Sequence, residues 1–246
     1  MGPVESILLK NIERNGCIHL ALVDPEKSGK SLSVTCRSLQ ELGTSAVMVG
    51  GSTVASSQEL DQTINTIKDS CSLPTILFPN GVSGITRFAD AIFFMSLLNS
   101  SQTHYITGAQ ALGAPVVKRF KLEPIPLGYI LVGDSSTAVS SVSRADLIPY
   151  SKPEVAASYA LAAQYLGMHF VYLEAGSGAS KPVDSSMVKR VSSDLDIPLI
   201  VGGGIRTPEQ AQDLASAGAS AIVTGTVLER EGTRQVARIL AALGRA

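Results

Sequence analysis

Tyr172 and Glu174 form the pair of side chains in this sequence whose types and spacing could move a proton. They close an apolar run, 170–173 (FVYL) plus the glutamate, and a turn of small residues follows at 175–178 (AGSG). On an extended strand, residues two apart share a face, so the phenol and the carboxylate would project together. Burying an ionised carboxylate without partners costs several kcal/mol or drives its pKa up. A strand end at which the glutamate simply reaches water accounts for the same pattern. The pair therefore gains meaning only from what else collects around it.

Two glycine loops bear on that question. Gly202-Gly203-Gly204 is followed by Ile205-Arg206 and by Thr207-Pro208-Glu209, which open a helix; further on, Gly225-Thr226 ends another apolar run. Glycines let backbone N–H groups approach an anion, and a helix N-terminus adds a favourable dipole. A tight turn alone would explain three glycines, but the second loop turns the reading toward phosphate. Two earlier strand ends carry Asp24-Pro25-Glu26-Lys27 and Gly50-Gly51-Ser52-Thr53. If those strands are neighbours, Asp24 and Ser52 lie close together. A carboxylate with a hydroxyl suits Mg²⁺, which takes few protein ligands and keeps water and phosphate oxygens. A turn at Asp24-Pro25 and a helix cap at Ser52 fit equally. His19, His104 and His169 show no metal-binding spacing, and His19 and His169 fall inside strand patterns, as structural histidines do.

The elements that must position these residues follow from periodicity. Helical spacing covers 3–14, 31–42, 57–70, about 102–121, 153–166, 183–195, 208–217 and 229–243. Unbroken apolar runs at 17–23, 45–49, 75–78, 89–95, 127–132, 170–173, 198–201 and 219–223 read as strands. Short continuous apolar strands separated by helices predict a parallel sheet covered on both faces. Eight such strands point to a modified (β/α)8 TIM barrel forming a single domain over 1–246. An open doubly wound sheet is the alternative, but no GxGxxG follows the first strand. The Ser- and Pro-rich stretch 134–153 reads as a long loop after a strand. In a barrel, the loops after the strands gather at one face, where the site forms.

Composition excludes several classes of function. A formal net charge of -1, with no block of like charges, gives extended nucleic-acid binding little electrostatic basis. Three widely spaced cysteines without CxxC argue against a disulfide framework or a zinc site. The N-terminal stretch carries Glu5 and Glu13 and does not read as a signal peptide, and no apolar run approaches the ~20 residues of a transmembrane segment. The expectation is a cytoplasmic, soluble protein and a homo-oligomer.

Taken in order, 19–27 (HLALVDPEK), 47–53 (VMVGGST), 88–100 (FADAIFFMSLLNS), 172–180 (YLEAGSGAS), 201–206 (VGGGIR) and 223–226 (VTGT) resemble the geranylgeranylglyceryl phosphate synthase family, related to bacterial heptaprenylglyceryl phosphate synthases. The resemblance spans nearly the whole chain. It implies a modified (β/α)8 barrel that joins geranylgeranyl diphosphate to the C3 hydroxyl of sn-glycerol 1-phosphate, forming the first ether bond of archaeal membrane lipids. It also implies Mg²⁺ on Asp24 and Ser52. Glycerol phosphate contacts would fall on Tyr172, Leu173, Glu174, Ala175, Gly176, Ser177 and Gly178, on Gly203 and Gly204, and on Gly225 and Thr226. Glu174 would accept the hydroxyl proton, with Tyr172 as a clamp beside it, and residues near 92–98 would help line a groove for the prenyl tail. Some branches carry Lys where Leu22 stands here and Gly-Asn where Gly225-Thr226 stands, which suggests the second archaeal subgroup. Two other readings are a sugar-phosphate isomerase on a phosphate-binding barrel and a non-catalytic barrel that binds anions.

Overall fold

The computed structural model describes residues 1–27, 29, 31–51, 56–134 and 138–244, the side chains of 138 and 139 excepted. Eight parallel strands close into a barrel in chain order: β1 (Ile18–Val23), β2 (Ala46–Val49), β3 (Thr75–Leu77), β4 (Ala91–Leu97), β5 (Glu123–Leu131), β6 (Phe170–Glu174), β7 (Leu199–Gly202) and β8 (Ala221–Thr224), with β8 paired back to β1. Closure leaves no sheet edge unpaired. The expected TIM barrel is the observed one.

Alternation along each strand separates two apolar layers. Leu20, Met48, Ile76, Phe93, Phe170 and Ile200 point into the barrel, where the Phe93 and Phe170 rings meet edge to face at 6.3 Å. Ala21, Val47, Leu77, Val171, Val201 and Ile222 point outward and pack on the helices. Helix α1 (Pro3–Asn15) adds Val4 and Leu8 to the inner layer and covers the N-terminal end of the barrel. Its first turn is held by Glu123 at the start of β5, whose carboxylate accepts the Val4 and Glu5 N–H groups at 2.7 and 2.8 Å. An anion at a helix N-terminus satisfies free N–H groups and complements the dipole.

Helices α2 (Leu32–Glu41), α3 (Ser57–Ser70), α4 (Ala109–Phe120), α5 (Ala138–Ser143), α6 (Pro153–Tyr165), α7 (Ser185–Ser192), α8 (Pro208–Ser216) and α9 (Thr226–Leu243) complete the fold. Several begin with signals written in the sequence. Ser56 and Glu59 form a capping box on α3, Thr207 and Gln210 one on α8, and Asp184 caps α7. Among the described residues no helix is long and apolar enough to cross a membrane.

The modification of the barrel lies between β3 and β4. That crossover contains only a 3-10 turn, Val82–Gly84, instead of an α-helix. After β4 the chain enters a π-helical turn, His104–Gly108, before α4. The widened turn is stabilised through its carbonyls: the Ser96 hydroxyl donates to Ile106 O at 2.7 Å, and Gln110 Nε2 donates to Tyr105 O at 3.1 Å and Met95 O at 2.6 Å. The missing helix and the wide turn leave an apolar groove along this side.

The largest differences from the sequence expectation are in β5 and in the stretch after it. Strand β5 starts at Glu123 rather than 127, because Pro124 and Pro126 hide its beginning. Glu123 N–H donates toward β4, at Asp90 O, so the proline nitrogens face the other side, where β6 pairs only from Leu127 onward. A proline there leaves no ladder hydrogen bond unmade. The stretch expected to be loop at 134–153 contains the short helix α5.

Gly128 of β5 faces α6, where a Cβ would lie 2.6 Å from the Ala163 Cβ and 3.2 Å from Leu98 Cδ1. Overpacking of this kind costs about 1–3 kcal/mol. Denaturant unfolding of Gly128→Ala is expected to show that loss, and Ala163→Gly in the same chain is expected to return part of it.

Candidate active site

The C-terminal ends of the strands surround a cavity of about 280 Å³. On β6, Tyr172 and Glu174 both point into it, as alternation predicts, while Leu173 between them turns outward to the helix layer. Glu174 is only 7% exposed. Its Oε1 accepts the Gly176 N–H at 2.6 Å, which draws the loop after β6 back over the strand end. Burial pushes its pKa up, and the Tyr172 hydroxyl and the Gly176 N–H offset part of that rise. The Tyr172 hydroxyl lies beside the carboxylate without the alignment of a full hydrogen bond, and it meets no other partner among the described residues. Burial, and then the Glu174 charge, hold that phenol far above the ordinary tyrosine range. Phe78, Tyr129 and Tyr172 pack ring to ring at 5.3 to 5.7 Å around this end of the cavity and keep it apolar.

The glycine loops meet the same carboxylate. Gly203 has φ 84°, and a Cβ on it would lie 2.5 Å from Glu174 Oε1 and 2.7 Å from Gly176 N. Both the backbone conformation and the space demand glycine. The loop is then tied to its neighbour by Arg206, whose guanidinium donates to Ala179 O at 2.7 Å and to Gly178 O and Ser180 O at 3.4 Å. Gln210 and Gln235 hold the Arg206 backbone at 2.8 and 2.7 Å. Gly225 and Thr226 line the cavity at the start of α9, whose first turn has no side-chain cap and which bends at Gly232 (φ 70°). Uncapped N–H groups at a helix start, beside two glycine loops, form an arrangement suited to an anion.

At the end of β1, Asp24 is 5% exposed. Its Oδ1 accepts the Glu26 N–H at 3.1 Å and its Oδ2 meets Lys27 Nζ at 3.0 Å. Lys27 reaches Glu229 Oε1 as well, at 3.5 Å, and the hydrogen bond to Asp24 is the largest cause holding its ammonium above the usual lysine range. Ser52 lies outside the described residues. Gly51 does not, and a Cβ on it would sit 2.6 Å from Asp24 Oδ2, so the loop after β2 runs directly against this carboxylate. Among the described residues no group of three or more His, Cys, Asp or Glu could hold a metal.

The far side of the cavity is the apolar groove, lined by Val82 and Ile85 of the helix-free crossover, Phe94 and Met95 of β4, and Tyr105 and Gly113 beyond it. Residues near 92–98 were expected there, and Ile92, Phe93, Phe94, Met95 and Leu97 do line the cavity.

Of the residues expected to form a site, Asp24, Tyr172, Glu174, Ser177, Gly178, Gly203, Gly204, Gly225 and Thr226 therefore converge on one cavity. Leu173, Ala175 and Gly176 stand behind its wall. His19 is buried, bonded through both ring nitrogens to Thr44 and Thr224 hydroxyls at 2.9 and 2.8 Å, and desolvation lowers its pKa to about 3; it is the structural histidine expected. Sequence reasoning gave no role to Lys27, Arg206 or Glu229. The signal for Glu229 was a helix start three residues too late, since α9 begins at Thr226 and puts Glu229 in its first turn.

Fold and site define the class: a (β/α)8-barrel enzyme with its site at the C-terminal face of the sheet. The PcrB family matches residues 10–243. Geranylgeranylglyceryl phosphate synthase of Pyrococcus horikoshii is 52% identical over 239 residues, 97% of this chain and 93% of that protein. The crystal structure of (S)-3-O-geranylgeranylglyceryl phosphate synthase from Thermoplasma acidophilum, in complex with its substrate sn-glycerol-1-phosphate, superposes with a TM-score of 0.94 at 42% identity, covering both chains completely. A Mycobacterium tuberculosis tryptophan synthase shares only the fold, with 14% identity and a TM-score of 0.62. The chain belongs to the PcrB family, the family of these synthases.

The raised pKa of Glu174 has a consequence for stability. A carboxyl whose folded pKa lies above its unfolded value favours folding while protonated, and that contribution is lost as pH rises through the folded pKa. Glu174→Gln is therefore expected to melt above the parent protein at about pH 8, with the margin closing toward about pH 4. A variant that melts lower at the alkaline end would contradict the assignment.

Proposed function

We propose that this protein transfers the prenyl group of geranylgeranyl diphosphate to the C3 hydroxyl of sn-glycerol 1-phosphate in a Mg²⁺-dependent reaction. The observation that carries this reading is the position of Glu174, a desolvated carboxylate between glycine loops suited to a phosphate and a groove suited to an isoprenoid chain. The names of the relatives and the glycerol phosphate bound in the Thermoplasma enzyme point the same way.

Glycerol phosphate would lie with its phosphate on the Gly203–Gly204 and Gly225–Thr226 loops and its hydroxyl at Glu174. Fixing both ends converts an encounter of two substrates into an oriented reaction. The C1–O bond of the prenyl diphosphate breaks as the glycerol oxygen bonds to C1, the hydroxyl proton passes to Glu174, and diphosphate leaves. A carboxylate with a raised pKa is the better proton acceptor. Tyr172, packed against Gly202, would clamp the glycerol side with a buried hydroxyl that has no well-aligned partner among the described residues. The rings of Phe78, Tyr129 and Tyr172 make this end of the cavity apolar and would favour positive charge developing on the prenyl C1 beside them.

The charge balance of the cavity suits a divalent cation. Among the described residues three carboxylates (Asp24, Glu174 and Glu229) and two cationic side chains (Lys27 and Arg206) line it, and the substrates add phosphates. Asp24, with Ser52 on sequence grounds, would hold Mg²⁺, which when bound supplies Lewis-acid neutralisation of the diphosphate. A sugar-phosphate isomerase would need a second acid or base facing Glu174, and in this reading Asp24 serves the cation instead. Nor would it use the apolar groove.

Labelled geranylgeranyl diphosphate and sn-glycerol 1-phosphate with Mg²⁺ are expected to give an organic-extractable ether. Glu174→Gln should keep glycerol phosphate binding and lose about 10²–10⁴-fold in turnover, the usual worth of a general base. No product with any prenyl donor from geranyl to heptaprenyl diphosphate would overturn the reading.

A further inference from the structure

We infer that Lys27 is a built-in counter-cation: it neutralises Asp24 while the metal site is empty and moves to the diphosphate when a divalent cation takes its place. The inference rests on the reading of this cavity as a diphosphate site. Lys27 stands on the turn after β1, 3.0 Å from Asp24 Oδ2 and 3.5 Å from Glu229 Oε1, with 48% of its side chain exposed. An ammonium at hydrogen-bond distance from a carboxylate oxygen would compete with a divalent cation for that oxygen. The two cannot share the oxygen without like-charge repulsion, so metal entry displaces Lys27.

The displaced ammonium has somewhere to go. Glu229, in the first turn of α9 on the cavity wall, keeps Lys27 at the rim, and its flexible four-carbon stem allows the swing. Of the two cations that line the cavity among the described residues, Arg206 is engaged by three loop carbonyls. Among the described residues the partners of Lys27 are carboxylates, and a metal removes one of them. A diphosphate arriving with the metal therefore finds one ammonium already at its site and unpaired from Asp24. The ligand class is a diphosphate or another polyphosphate anion.

Two binding measurements on Lys27→Met test this without turnover. With saturating Mg²⁺, inorganic pyrophosphate is expected to bind the variant about tenfold more weakly by calorimetry, the worth of one charge-assisted hydrogen bond, and in chelator, where Asp24 holds Lys27, that loss is expected to shrink. Without any phosphate, Mn²⁺ followed by electron paramagnetic resonance is expected to bind about threefold or more tightly, because a partly exposed competing ion pair is gone. Glu229→Gln, which leaves Lys27 to Asp24 alone, should shift Mn²⁺ the opposite way. Unchanged pyrophosphate affinity, or Mn²⁺ affinity that is unchanged, weaker or absent in both proteins, overturns the inference. Lys27→Gln serves the same purpose if the methionine variant does not fold. If both shifts appear while the parent protein transfers no prenyl group, the transferase reading falls and the cation exchange stands.

Discussion

The burial of one carboxylate constrains the rest of this structure. Glu174 sits at the end of a barrel strand behind three aromatic rings, with a single backbone N–H as its well-aligned donor. Removing a carboxylate from water is expensive, and the cost appears as a raised pKa. The surroundings are shaped to permit this. Gly203 must lack a side chain because its Cβ would strike Glu174, and Gly202 because its Cβ would strike the Tyr172 hydroxyl. The glycine run that reads as an anion loop is thus also the condition for holding the carboxylate in place.

Around that point the barrel supplies three environments from three sets of strand ends. The loops after β6, β7 and β8 provide backbone amides, and Arg206 ties the first two of these loops together. The ends of β1 and β2 provide Asp24 and the loop packed against it. The crossover between β3 and β4, by lacking a helix, provides the apolar groove. Glycine loops, a buried carboxylate at another strand end and an apolar groove, all lining one cavity with Glu174, suit the proposed reaction between a small phosphorylated alcohol and a long diphosphate. A compact sugar phosphate would leave the groove without a use.

Much of this was legible in the sequence, for physical reasons. Unbroken apolar runs reveal buried parallel strands, and residues at the ends of such strands must meet at one face once the barrel closes. Asp24, Glu174, Gly203 and Gly225 could therefore be grouped before their distances were known. Helix α3 could be placed to the residue because its capping box and periodicity agree. The failures share a cause. Prolines in β5 look like strand breakers, yet they lie where the neighbouring strand has not begun. The π turn after β4 depends on Ser96 and Gln110 reaching back from other elements. Lys27 and Glu229 are far apart in the chain, and nothing local announces their contact. Local pattern reports the scaffold and the strand ends, while charge pairing across elements comes only from three dimensions.

The most direct measurement is a crystal structure of this protein with sn-glycerol 1-phosphate bound. The account predicts the phosphate on the Gly203–Gly204 and Gly225–Thr226 loops and the C3 hydroxyl oxygen within about 2.6–3.2 Å of a Glu174 carboxylate oxygen, the reach of a general base. A ligand lying the other way round, with its phosphate beside Asp24 and no hydroxyl at Glu174, would contradict it.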